Sequence, residues 1–224
     1  MHQRLATLWA AIAPPSGPVN VVDVGAHDGS WAVQTTSLLP AGSRVLCFEA
    51  NPEHAESLAR RGLWHRICLL GDRTESDVPF FRMRGCGPGT GDSIFRELTG
   101  HYADASVRGL AMTRLDDDPT VRALPGRVHL LKLDVQGAEL LVLDGASDVL
   151  ANTDAVAMEV SLLPYNQGAP GFADAVAYMK QRGFVAVDVL DIHYVRAACA
   201  QVDLLFVREG GALHAQIAAR VRGP

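Results

Sequence analysis

Four carboxylates in the sequence stand where an apolar run, predicted to be a strand, comes to its end. They are Asp23, Glu49, Asp134 and Glu159. At the carboxyl end of a strand, a carboxylate can accept hydrogen bonds from ribose hydroxyls, pair with a cationic amino group, or take a proton from a reacting hydroxyl. The set therefore predicts a site for a ribose-containing ligand next to a site for proton transfer.

The turn after the first of these runs is rich in glycine and reads Val-Val-Asp-Val-Gly-Ala-His-Asp-Gly over residues 21–29. Gly25 and Gly29 flank three residues, so the turn departs from the G-x-G-x-x-G fingerprint of dinucleotide sites. Glycine there lets a ligand approach the backbone. Asp23 and Asp28 would repel a pyrophosphate but not a cationic amino group. S-adenosylmethionine carries such a group and a sulfonium, so the turn favours it as the cofactor.

Glu49 follows Gly25 by 24 residues and lies in the segment Phe-Glu-Ala-Asn-Pro. A carboxylate at this place can accept both hydroxyls of a ribose. Since S-adenosylmethionine and NAD both contain ribose, Glu49 does not choose between them. A solvated acid at the end of a strand is the structural alternative.

Asp134 and Glu159 end neighbouring predicted strands, and we expect both to be catalytic. One of them takes the proton of a substrate hydroxyl, or the two share one divalent metal ion such as Mg²⁺. The sequence does not decide which is the base, and no ligand spacing demands a metal. Glu139 and Gln136 have the spacing of a capping box, so a helix cap is the alternative for Glu139.

These side chains need strands and helices that alternate along the chain. We predict strands at 19–24, 44–48, 65–70, 128–135, 154–160, 184–190 and 202–207, and helices at 30–39, 52–61, 138–150 and 171–182. Alternation implies a mostly parallel sheet with helices on both faces. The last two strands have no helix between them, which predicts an antiparallel hairpin. We therefore expect an α/β, Rossmann-like fold with seven strands.

The segment 73–127 is irregular. It predicts short strands at 78–83 and 110–115, a helical turn at 94–98 and a short helix after 116. The glycine-rich stretch 87–93 is similar to a phosphate-binding loop, but Asp92 stands where that loop has its lysine, which excludes this function. We expect a cover over the pocket there, with Ser93 near cofactor or substrate.

The chain has 224 residues, a size typical of one domain, which we place at 18–224 after an N-terminal helical segment at 1–17. A signal peptide is the weaker alternative for that segment. The formal net charge of −5 argues against a nucleic-acid partner. No stretch approaches the ~18 apolar residues of a membrane span. Four cysteines without metal-ligand spacing predict free thiols and a cytoplasmic location.

From residue 19 to residue 207 the chain resembles the FkbM family of S-adenosylmethionine-dependent methyltransferases. The motifs that carry the resemblance are Asp-Val-Gly-Ala-His-Asp-Gly, Phe-Glu-Ala-Asn-Pro, Leu-Lys-Leu-Asp-Val-Gln-Gly-Ala-Glu-Leu-Leu-Val-Leu-Asp-Gly-Ala and Met-Glu-Val. One departure is His27, where the family usually has Asn. The resemblance implies a class I methyltransferase that acts on hydroxyls of sugars or natural products, with a small-molecule acceptor.

The resemblance also implies roles for single residues. The cofactor-binding residues would be Asp23, Gly25, Ala26, His27 and Gly29 at the methionine end, Glu49 at the ribose, Asp72 at the adenine, and Asp134 at the amino group or the substrate. We expect loop residues at the substrate, namely Ser93, Tyr165 in the loop after Glu159, and His193 in the loop between the last two strands.

Two other functions stay open. One is a module that binds S-adenosylmethionine without catalysis. The other is an NAD-dependent oxidoreductase, although neither its glycine fingerprint nor a catalytic Tyr/Lys set is visible. The sequence leaves a homo-oligomer open.

Overall fold

The structure is a computed structural model that describes residues 17–83 and 90–222. Its main sheet has seven strands in the order β3-β2-β1-β7-β8-β10-β9. The first five strands in this order, from β3 at the edge to β8, are mutually parallel. Strand β10 runs antiparallel to both of its neighbours, β8 and β9. This arrangement confirms the predicted Rossmann-like sheet and its C-terminal hairpin. The strands are β1 (Asn20–Val24), β2 (Arg44–Glu49), β3 (Trp64–Ile67), β7 (Val128–Leu133), β8 (Thr153–Ser161), β9 (Phe184–Val195) and β10 (Ala198–Arg208).

Helices cover both faces of this sheet, as predicted. Strand β1 shows why, since Val22 and Val24 enter one apolar cluster and Val19 and Val21 enter the other, so both faces of the strand are apolar. One face packs against α1 (Ser30–Leu38), α2 (Ala55–Arg60) and α7 (Ala212–Arg222). The other packs against α3 (Pro119–Arg122), α4 (Glu139–Asp144), α5 (Ser147–Ala151) and α6 (Phe172–Gln181).

A second, three-stranded sheet was not predicted. It has the order β4-β6-β5 and consists of β4 (Leu69–Leu70), β6 (Ser106–Thr113) and β5 (Glu75–Arg82). The run predicted as one strand over 65–70 divides at Cys68, whose N–H donates to the carbonyl of Glu49 at 2.9 Å. Beyond that bond the chain leaves the main sheet, and the two buried leucines of β4 pair with β6.

The helix predicted over 138–150 is two helices, α4 and α5, with Gly145 between them. A Cβ on Gly145 would lie 1.9 Å from the carbonyl oxygen of Gly71, so the backbone after β4 passes at the break. The buried carboxylate of Asp116 accepts the N–H groups of Asp148 and Val149 at 3.1 and 3.0 Å and caps α5. Because this cap comes from a residue distant in the chain, the spacing of apolar residues could not predict that a second helix begins here.

Three shorter segments also differ from prediction. The helix expected over 52–61 begins as a 3-10 turn, and Asn51 is its N-cap, because the side chain of Asn51 accepts the N–H of Glu53 at 3.1 Å. The helical turn expected over 94–98 is wrong, since Glu97 forms a β-bridge with Asn166. The short helix expected after Asp116 is preceded by a 3-10 turn and begins at Pro119.

Some predictions fall outside the described residues, namely most of the helical segment at 1–17 and Cys86. Within 17–83 and 90–222, Cys47, Cys68 and Cys199 are free thiols, as predicted. No helix in these ranges is long and apolar enough to cross a membrane.

Candidate functional site

A cavity of about 430 Å³ opens at the carboxyl ends of β1, β2 and β7. This volume lies within the roughly 300–1,000 Å³ typical of small-molecule sites. In open α/β sheets, ligands bind at this end of the strands. Predicted site residues on its wall are Gly25, Ala26, His27, Glu49, Ser93 and Asp134.

The turn after β1 forms one side of the cavity. The N–H groups of Gly25 and Ala26 both donate to the carbonyl of Phe48, at 2.9 and 3.0 Å. Gly25 has a φ of +79°, and a Cβ there would lie 1.8 Å from the carbonyl oxygen of Asp134. The glycine is therefore required by the close approach of two backbone segments, whereas the sequence suggested only the approach of a ligand.

Gly29 is required for packing. Its φ is +84°, and a Cβ there would lie 2.4 Å from Cδ1 of Leu63 and 2.9 Å from Cδ2 of Leu58. Gly29 is not among the residues that line the cavity. The structure therefore places it at the start of α1, packed against the α2 region and off the cavity wall.

Glu49 is buried at the end of β2 and lies on the cavity wall. Its Oε1 accepts the N–H of Asn51 and its Oε2 accepts the N–H of His27, each at 2.7 Å. Burial raises the pKa of Glu49, although these two hydrogen bonds act against it. The bonds fix the carboxylate, and its remaining lone pairs can accept the two hydroxyls of a ribose.

Asp23 lies behind the wall, because its side chain is fully buried and does not line the cavity. Nζ of Lys132, on the neighbouring strand β7, lies 3.1 Å from Oδ1 of Asp23 and 3.5 Å from Oδ2 of Asp134. Burial disfavours the charged amine, but both carboxylates outweigh burial and raise the pKa of Lys132. Lys132 thus provides a cation on the cavity wall. No role was predicted for this residue from the sequence, although a single lysine inside an apolar strand could have indicated it.

The two carboxylates predicted to be catalytic are joined by Gln136. The Nε2 of Gln136 donates to Oδ1 of Asp134 at 3.1 Å and to Oε2 of Glu159 at 2.6 Å. Gln201 on β10 donates to the same Oε2 at 2.7 Å. Burial, with the charge of Asp134, raises the pKa of Glu159 well above its usual range. A carboxylate whose pKa is raised in this way holds a transferred proton more firmly than an exposed carboxylate does.

Glu139 holds the loop between β7 and α4. Its carboxylate accepts the N–H groups of Val135 at 2.9 Å and Gly137 at 3.0 Å. Burial raises the pKa of Glu139 to about 7. Glu139 thus satisfies backbone donors at the helix start, although the N-cap of α4 is Ala138 and the side chain of Gln136 donates to Asp134 and Glu159.

Ser93 connects the irregular segment to the site. It lies on the cavity wall, and its Oγ donates to the carbonyl of Val135 at 3.0 Å. Next to it, Asp92 accepts hydrogen bonds from Asn51 at 3.0 Å and from the hydroxyl of Tyr102 at 2.9 Å. Asp92 therefore organises the wall, which agrees with the exclusion of a phosphate-binding loop.

Three predicted residues lie elsewhere. His193 is on β9 and not in a loop, because the last two strands are longer than predicted and only Arg196 and Ala197 separate them. Tyr165 is not on the cavity wall, and burial and the neighbouring Glu97 raise the pKa of its hydroxyl to about 12. Asp72 is also off the wall and pairs with Arg73 at 2.8 Å.

Comparison with solved structures shows the same fold in methyltransferases. The chain is similar to the methyltransferase FkbM from Methylobacillus flagellatus KT, at 15% identity and a TM-score of 0.52 over 84% of this chain and 43% of that one. It is similar to the O-methyltransferase TomG from Streptomyces achromogenes in complex with SAM, at 14% identity and a TM-score of 0.52 over 93% and 79%. It is similar to magnesium protoporphyrin IX methyltransferase from Synechocystis PCC 6803 with bound SAH, at 13% identity and a TM-score of 0.50 over 93% and 82%.

No curated protein sequence matches the chain. A family model does, and its description is the methyltransferase FkbM domain. The match runs over residues 23–186, from the end of β1 through Asp134 and Glu159 to the start of β9, which is well over half of the chain. The chain therefore belongs to the methyltransferase FkbM family.

Proposed function

We propose that the chain binds S-adenosylmethionine in the cavity and transfers its methyl group to a hydroxyl of a small sugar or natural product. The observation that carries the proposal is the distribution of charge on the wall. Glu49 lies at the end of β2, and Lys132 and Asp134 lie at the end of β7. This places a hydrogen-bond acceptor for a ribose and a cation–anion pair for the ammonium and carboxylate of a methionine on one cavity.

The cofactor supplies an electrophilic methyl group on sulfur. In transfer, the acceptor oxygen forms a bond to the methyl carbon as the carbon–sulfur bond breaks, and S-adenosylhomocysteine leaves with the electron pair. The protein holds both partners in line, which supplies much of the rate. The acceptor hydroxyl loses its proton, and a carboxylate must receive it.

Glu159 is the proton acceptor that the geometry favours. Its Oε2 accepts hydrogen bonds from Gln136 and Gln201, and its Oε1 lies on the side of His193, at 3.9 Å from Nε2. Asp134 is closer to the cofactor cavity and carries the hydrogen bond from Gln136. We therefore assign Asp134 to the methionine end and Glu159 to the acceptor.

Calorimetric titration with S-adenosylhomocysteine tests cofactor binding, with NADH titrated in parallel and EDTA in every sample. We expect a micromolar Kd, about −8 kcal/mol, and no binding of NADH. Glu49→Ala should weaken binding at least tenfold, whereas Glu56→Ala, an exposed control on α2, should leave it unchanged. Absence of binding to folded protein would refute the proposal.

Transfer itself is tested with a labelled methyl donor and a panel of small hydroxyl-bearing acceptors. We expect Glu159→Gln to abolish transfer and to keep S-adenosylhomocysteine affinity within about threefold, because Glu159 does not line the cofactor cavity. Cofactor binding without transfer to any acceptor would instead favour a non-catalytic binding module.

A further inference from the structure

Side chains from three neighbouring strands converge beside the proposed acceptor site. They are Glu159 on β8, His193 on β9 and Asp203 on β10. Nε2 of His193 lies 3.9 Å from Oε1 of Glu159 and 3.3 Å from Oδ2 of Asp203. One atom of each residue lies within 4.8 Å of the other two. The register explains the cluster, because Asp203 pairs with Glu159 and Gln201 pairs with His193, which brings these side chains to one face.

Two of the three atoms are buried without a hydrogen bond. Within the described part of the chain, neither Nε2 of His193 nor Oδ2 of Asp203 has a hydrogen-bond partner, although the two atoms are at ion-pair distance. Asp203 is 6% exposed. An anionic oxygen buried in this way is costly unless something binds it. His193 lies at 3.3 Å from this oxygen without hydrogen-bond geometry, so the pair can still accept a bridging cation.

Hydrogen bonds orient the third atom, Oε1 of Glu159. Gln136 and Gln201 both donate to Oε2 of Glu159, at 2.6 and 2.7 Å. These bonds leave Oε1 directed toward His193. Hydrogen bonds to the outer atoms of a ligand residue are the usual means by which a protein orients a metal-binding carboxylate.

The charge and the space around the cluster suit a cation. Four carboxylates lie close together around one amine, Nζ of Lys132, which is nearest to Asp23 at 3.1 Å. The carboxylates are those of Asp23, Asp134, Glu159 and Asp203. A space of about 20 Å³ lies beside the cluster, and Asp134, Glu159 and Asp203 are on its wall. The rest of that wall is Lys132 and apolar side chains, and His193 borders the cluster from outside it. This volume holds about one water-sized particle.

We propose that Glu159 Oε1, His193 Nε2 and Asp203 Oδ2 bind a divalent first-row transition-metal ion. One imidazole and two carboxylates suit Mn²⁺ or Zn²⁺ better than Mg²⁺, which prefers an all-oxygen shell. Three protein ligands leave positions open for water or for an acceptor hydroxyl. Only this last role, holding the acceptor, rests on the proposed function.

Titration of untagged, metal-free protein with Mn²⁺ tests the site, with bound metal measured as loss of the free-ion electron paramagnetic resonance signal. Neither cofactor nor acceptor is present. We expect about one ion per chain and at least a tenfold loss of affinity in His193→Gln and in Asp203→Asn. Asp188→Asn, an exposed aspartate on the same strand as His193, is the matched control and should bind as wild type does.

A second measurement does not depend on variants that fold. Electron spin-echo modulation of Mn²⁺ bound to the wild-type chain should show coupling to an imidazole nitrogen. Failure of the folded chain to bind Mn²⁺ and Zn²⁺ would overturn the proposal. So would binding that survives both substitutions, or a preference for Mg²⁺ that requires Asp134 and not His193. S-adenosylhomocysteine binding in EDTA is measured separately, so failure of the metal site and failure of the proposed function give different results.

Discussion

Gly25→Ala should destabilise the protein more than the same substitution at a turn glycine that has no close neighbours. Its φ is +79°, and a Cβ there would lie 1.8 Å from the carbonyl oxygen of Asp134, whereas real Cβ atoms essentially never come closer than 3.0 Å. The turn after β1 and the end of β7 would have to separate by more than 1 Å. That movement also disturbs the cavity wall.

The magnitude has two parts. A non-glycine residue in the left-handed region costs about 1–2 kcal/mol. Forcing an additional carbon into a packed site costs about 1–3 kcal/mol. The sum, about 2–5 kcal/mol, corresponds to a fall in Tm of roughly 5–20 °C for a chain of this size.

Urea denaturation of Gly25→Ala and Gly62→Ala side by side separates the two parts. Gly62 has a φ of +67° and no atom within 4 Å of an added Cβ, so its substitution measures the backbone cost alone. We expect Gly25→Ala to lose at least ~1 kcal/mol more than Gly62→Ala. Equal losses would refute the argument that backbone approach is what requires a glycine at residue 25.

Other predictions concern the buried charges and the wall. Lys132→Met should cost about 3–5 kcal/mol in urea denaturation, because it leaves Asp23 buried without its counter-charge; adding Asp23→Asn should recover part of the loss, and no recovery would contradict the pairing. The pKa of Glu139 is raised from 4.5 to about 7. Protonated Glu139 therefore contributes stability that is fully present below pH 4.5 and is lost as the pH rises through 7. The loss is about 1.4 kcal/mol per unit of the shift. Stability of Glu139→Gln should therefore change less than that of wild type between about pH 5 and 8, and parallel curves would argue against it. Asp72→Ala should change S-adenosylhomocysteine affinity less than twofold, since the side chain is off the wall; a tenfold loss by calorimetry would restore the expected adenine contact.

The main sheet was predictable because its central strands are continuous apolar runs and its last two strands lack a helix between them. The small sheet was predictable only in part. Strands expected at 78–83 and 110–115 overlap β5 and β6, but β4 has only two residues and their pairing into a sheet was not predicted. No local signal marks Cys68 as the residue where the chain changes sheets.

The site was predictable at the ends of strands and less so within them. Glu49 is the last residue of β2 and Asp134 follows β7, and both reach the wall. Asp23 is inside β1, and its side chain lies on the same side of the strand as Val21, behind the wall. Because β10 extends from 198 to 208, it includes Gln201, which lies outside the strand predicted over 202–207. Asp203 lies within the predicted strand, but no role was predicted for it. Their role depends on the antiparallel register with Glu159, which spacing along the chain does not encode.

The position of β10 between β8 and β9 has a consequence for the order in which the protein folds. β9 precedes β10 in the chain, yet it joins the main sheet only through hydrogen bonds to β10. A nascent chain that has not yet released residues 198–208 therefore has five sheet strands and an unattached β9. In that chain Glu159 lacks the hydrogen bond from Gln201 and its neighbour Asp203. The surroundings of Glu159 are thus completed only when β10 pairs with β8, a contact between residues 40 or more positions apart in the chain.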